Sequence, residues 1–231
     1  MSIFVVILQL VLVLVIHEWG HAFAASLLGF SFDTIFIGLP IQPKKTFYFR
    51  GKEIIVSPWL VGGGVNIKEE DILKSTFLKK TIVYSAGPLA NIAAGLIVSY
   101  LTFGKAGLMV AWMYIKASFF AVTMLLTGHI GIEQVSSPIG VVAITHEIVD
   151  VEFVFGTIFV WLLLNFSVAI INLAPVPALD GGHIWIGAIC SLFKNKPGII
   201  KAAKILNYTF LVLILLLMVF LLARDIIQLI F

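Results

Sequence analysis

Four stretches of the chain are apolar almost without a break: residues 3–28, 81–103, 153–175 and 205–223. Each offers roughly the 20 residues that an α-helix needs to cross about 30 Å of hydrocarbon. A fifth run, 108–126, is nearly as apolar but carries Lys116 at its middle and follows the second run closely. Between the first and second runs the pattern shortens to FDTIFIGLP, KTFYF and EIIVSPWLV, which have strand character, with Arg50, Gly51 and Lys52 placed for a hairpin turn. The pattern predicts an all-α polytopic membrane protein of about four transmembrane helices, with a small membrane-associated β-sheet at about 31–66. Composition agrees, because 61% of residues are hydrophobic and 12% charged, about half the charge of a soluble domain.

Charge placement gives an orientation. Residues 29–81 hold eight of the fifteen lysines and arginines, and 181–204 hold four more. The positive-inside tendency therefore puts these two segments in the cytoplasm and 104–152 and both termini outside. A crossing at 108–126 would invert every later span, so that run is expected as a peripheral helix on the outer leaflet. The first run lacks a basic leader and outlasts a signal sequence, and is expected to stay as an anchor. The chain then reads as one domain, 1–231, in the cytoplasmic membrane. Its net charge of +3 is dispersed and offers no surface for nucleic acid. Cys190, the single cysteine, excludes an internal disulfide and a thiolate zinc cluster.

Chemistry concentrates where the pattern breaks. Inside the first run stands HEWGH, residues 17–21. Residues four apart share a helix face, so His17 and His21 can hold one metal ion with Glu18 beside it. Imidazole suits zinc, and such a site keeps an open position for water. The plainer alternative is that the histidines hydrogen-bond between helices, but ionisable groups at membrane depth are costly. A third ligand is needed, and Asp180 is the strongest candidate, in NLAPVPALDGG at the end of the third run. Pro175 and Pro177 break the helix there, although an ordinary Asp-Gly helix exit would look the same. With one span between them, the first and third spans run parallel. That places His17, Glu18, His21 and Asp180 at similar depth, toward the cytoplasmic side.

Taken together, HEWGH in a first span, the Gly-rich loop Val61–Val65, SAGPLAN at 85–91 and NLAPVPALDGG at 172–182 resemble the site-2 protease family of intramembrane zinc metalloproteases. SSPIG at 136–140 resembles a segment of the bacterial branch that regulates sigma-E. The resemblance implies one zinc ion per chain held by His17, His21 and Asp180, with Glu18 as general base. It implies that Asn172, Pro175, Pro177, Gly62 and Gly63 position substrate, that the substrates are transmembrane segments of single-pass membrane proteins, and that the sheet offers them an edge strand. Two departures stand out. No PDZ domain fits between the second and third spans, and Trp19 replaces the usual phenylalanine of the zinc motif. Two other readings compete: a different membrane zinc peptidase, and a non-proteolytic metal-binding or chaperone homologue. Gly87-Pro88 and Asn91 are expected in helix packing, Asn165 in a hydrogen bond within the bundle, His183 at a surface or cap, and His129 and His146 in the outer region.

Overall fold

The computed structural model describes residues 2–60, 62–193 and 196–230; Val61 of the Gly-rich loop and Lys194 of the basic segment lie outside them. Eight α-helices and four strands follow in the order α1 (Ser2–Leu27), β1 (Phe32–Ile37), β2 (Lys45–Phe49), β3 (Lys52–Val56), β4 (Gly63–Ile67), α2 (Glu69–Lys74), α3 (Phe77–Phe103), α4 (Lys105–Leu126), α5 (Pro138–Val151), α6 (Phe153–Leu173), α7 (Asp180–Leu192) and α8 (Pro197–Ile230). Five of these helices, α1, α3, α4, α6 and α8, are long and apolar enough to cross a membrane, one more than the pattern suggested.

The chain forms two compact units. The first comprises residues 14–90 and 172–213. Within it, α1 stops because Gly29 adopts φ +79°, and Phe30 N–H donates to the Ala25 carbonyl, the hydrogen bond of a Schellman end. The chain then enters a sheet of order β2-β3-β1-β4, in which β1 and β3 are parallel and the other pairs antiparallel. Arg50 and Gly51 both take positive φ, which is the type I′ signature of a two-residue hairpin and fixes Phe49 opposite Lys52. Ala22, Ala25, Phe30, Phe32, Ile35 and Val83 close a small core between α1, the sheet and α3. The sheet expected at 31–66 is present, with one shift: Gly63 and Gly64 belong to a strand, β4, and not to a loop.

The second unit comprises residues 1–13, 91–171 and 214–231. Here α3 and α6 run antiparallel, since Phe103 stacks on Phe155 while Gly95 lies against the Phe166 ring and Trp161 Nε1 donates to the Ala94 carbonyl. Helix α4 turns back at Gly104 (φ +59°) and packs lengthwise along α3. Ser99 Oγ donates to the Gly107 carbonyl at 2.8 Å, and Ala111 and Tyr114 meet Phe166 and Ile92. The surface helix expected over 108–126 is thus one arm of a helical hairpin. Helices α4 and α6 share one direction, so the chain returns between them through 127–152.

That return path is pinned by the end of α8. Arg224 donates to the carbonyls of Glu133 and Val135, and the Asp225 carboxylate accepts from Ser137 N–H at 2.8 Å. Ser137 caps α5 through its Oγ, which accepts from Gly140 N–H, and Pro138 follows at the first helical position. SSPIG is therefore a helix start, held by a buried aspartate from elsewhere in the chain.

Candidate metal centre

Four side chains of the first unit meet at one point. On α1, His17 and His21 lie one turn apart with their Nε2 atoms 3.2 Å from each other. From the first residue of α7, Asp180 Oδ2 lies 3.0 Å from His17 Nε2 and 3.2 Å from His21 Nε2. Three ligand-type atoms converge on the same space, and both histidines are buried. Neighbouring ligands around a tetrahedral ion with bonds of 2.0–2.1 Å are about 3.3 Å apart, close to the three separations found here.

The tautomer supports the same use. His21 Nδ1 is 2.7 Å from the Val83 carbonyl, an arrangement that places the ring proton on Nδ1 and leaves Nε2 a lone pair. The Asp180 Oδ2 atom faces both Nε2 atoms. The lone pair of His21 Nε2 and a carboxylate oxygen that point at one another repel unless a cation or a proton lies between them. The residues present fit zinc. Beside them, Glu18 is buried and its Oε2 has no hydrogen-bond partner among the described residues.

Glycines bring the backbone close to these groups. A Cβ on Gly63 would stand 2.6 Å from Glu18 Oε1, so β4 passes directly over the carboxylate. One on Gly87 of α3 would stand 2.3 Å from His21 Nε2 and nearly as close to both adjacent ring carbons, so α3 packs on the face of the imidazole. Within HEWGH, Gly20 lets α3 approach, since a Cβ there would meet the Ala86 carbonyl at 2.6 Å. The first turn of α7 is similar: Gly181 and Gly182 lie against the carbonyls of Leu173, Ala174 and Val176. Asp180 is thereby seated on the segment that follows α6.

The remaining expected residues fall around this core. Asn172 is half-buried in the last turn of α6, Pro175 is exposed, and Pro177 Cα packs under Gly182. Gly62 has φ +114° and its carbonyl accepts from Gly38 N–H. His183, expected at a surface or cap, is half-buried and stacks on Tyr84, with ring centroids 4.8 Å apart. The sequence reading missed three contributors: Gly87 as the wall beside His21, the Val83 carbonyl, and Asn207 of α8, which binds the backbone next to Asp180. None has a local signal, because each acts across a long sequence separation. Only the short spacing of SAGPLAN's small residues hinted at a close approach.

A helical membrane protein with two histidines one turn apart and a carboxylate from a later helix defines a class, the membrane-embedded metal hydrolases with a His–His–Asp centre. Residues 5–217 match the sequence model described as Peptidase family M50. The chain belongs to this family, the site-2 proteases, whose metal is zinc. It is similar to the zinc metalloprotease RasP of Oceanobacillus iheyensis, 33% identical over 104 residues, which are 45% of this chain and 24% of that protein. A putative zinc metalloprotease of Chlamydia pneumoniae is 35% identical over 72 residues, covering 31% of this chain and 11% of its own length. One from Campylobacter jejuni is 29% identical over 105 residues, or 46% and 28%. The matched stretches thus span only 11% to 28% of these three relatives.

Proposed function

We propose that this chain is a zinc-dependent intramembrane endopeptidase that cuts transmembrane segments of single-pass membrane proteins. The observation that carries this reading is the convergence of His17, His21 and Asp180 beside Glu18, whose Oε2 has no hydrogen-bond partner among the described residues, in a chain with five helices apolar enough to span a bilayer. His17, His21 and Asp180 hold the ion, one per chain. Zinc bound there would supply Lewis acidity and make water easier to deprotonate near neutral pH. Glu18 receives the water's proton and returns it to the leaving amine. Burial under β4 leaves one of its oxygens free of protein partners for that exchange.

A transmembrane helix shelters its peptide bonds by pairing every amide, so a substrate must unwind before it is cut. Strand β4 is an edge: among the described residues it pairs with β1 alone. Of the two sheet edges it is the one in contact with Glu18, through Gly63, and an unwound substrate adds there as an extra strand. Gly62 and Gly63 keep this edge open, and Asn172, Pro175 and Pro177 hold the substrate from the other side. The basic residues of 29–81 and 181–204 support a centre toward the cytoplasm and both termini outside, in the cytoplasmic membrane. Because the family match runs almost end to end, we treat the chain as one protease domain. The purified chain in lipid nanodiscs, given a single-span model substrate, tests the reading. Glu18→Gln is expected to retain zinc and lose cleavage; full cleavage by this variant would falsify the general-base role.

A further inference from the structure

The geometry points to Asn207 of α8 as a positioning residue for Asp180, acting through the backbone of the segment that carries it. This rests on the reading of Asp180 as a metal ligand. Residues 174–179 join α6 to α7, and their N–H groups have few options. Pro175 and Pro177 have none. Val176 N–H turns back to the Ala174 carbonyl at 2.7 Å, and Leu179 N–H to Val176 at 3.1 Å. Ala178 N–H leaves the segment and donates to Asn207 Oδ1 at 3.1 Å.

Ala178 is also where the segment is strained. Its φ of +71° lies in the left-handed region, which an L residue with a Cβ adopts only when its surroundings hold it there. The Asn207 carboxamide is that constraint, and Asp180 is two residues further on. No side chain at the start of α7 takes over the task. Its N-cap is Leu179, without a capping side chain, and Gly181 and Gly182 have no side chains to key the helix. Asn207 reaches the other flank as well, with Nδ2 3.5 Å from His183 Nδ1. The His183 ring in turn lies flat on Tyr84, the neighbour of the Val83 whose carbonyl orients His21. One carboxamide from α8 therefore touches the backbone before Asp180 and the side chain one turn after it.

The alternative is that glycine packing alone seats Asp180, and zinc release distinguishes the two. Full-length chain loaded with zinc in nanodiscs is mixed with excess chelator and the release rate followed. Asn207→Ala is expected to release zinc about 10-fold faster than wild type, the lower end for a residue supporting a ligand. Asn207→Asp keeps the acceptor for Ala178 N–H and is expected to stay within about twofold of wild type. His183→Phe, which preserves the stack on Tyr84, is expected to do the same. Wild-type release by Asn207→Ala would overturn the inference, as would Asn207→Asp releasing as fast as a non-polar variant. If Asn207→Ala does not fold, Asn207→Asp and His183→Phe still decide, since rapid release by either contradicts a tie through Ala178. Wild type that holds no zinc, or Asp180→Asn that holds it fully, would instead bring down the ligand assignment itself.

Discussion

Two aspartates show how differently one side chain can be used. Asp225 sits at the end of α8, 4% exposed, and everything facing it is a donor: Ser137 N–H and the Arg224 guanidinium. Asp180 is the less buried of the two side chains, yet it faces imidazole nitrogens, one of which points a lone pair at it. A carboxylate saturated by donors is finished chemistry, and it holds α5 in place. One that converges with an imidazole lone pair is incomplete without a cation. Burial alone would have ranked these residues in the wrong order; the character of the neighbours ranks them correctly.

The contrast breaks if the two aspartates respond alike. The largest effect is expected from Asp180→Asn, which should lose zinc by on the order of 10-fold or more in affinity at nearly unchanged thermal stability of the apoprotein. Gly87→Ala should come close to it, because the new methyl group presses on the face of the His21 ring and pushes Nε2 out of place; metal analysis of the purified variant at wild-type zinc content would contradict that. Asp225→Asn should do the reverse, keeping full zinc while costing about 1–3 kcal/mol through the weakened bond to a buried N–H, read as a lower unfolding temperature. Ser137→Ala is the mildest, about 1 kcal/mol for a lost cap, again with zinc untouched. Should either of these last two shed zinc, the division between a structural and a chemical aspartate would fail.

How far the sequence could be read follows the same logic of separation. His17 and His21 were legible because four residues on a helix fix their relation locally. Asp180 was legible because prolines and glycines interrupt an apolar run where irregular backbone is costly. The β-element showed itself by short alternating segments and a two-residue turn. What stayed hidden depends on contacts between residues far apart: Gly87 against His21, 66 positions away, and Asn207 against Ala178, 29 positions away. The pairing of α4 with α3 in a hairpin was hidden for a related reason. The return partner of α4, the region around α5, is too short for a span and gave no sign that the chain doubles back there.

Gly63 and Gly64 make the part of the edge strand next to Glu18 bare main chain. Under the proposed chemistry, a segment seated there meets hydrogen-bonding groups and no side chains. Such an edge does not spell out a cleavage motif. It rewards whichever segment opens most readily, so recognition becomes a competition in how little helix a substrate can keep.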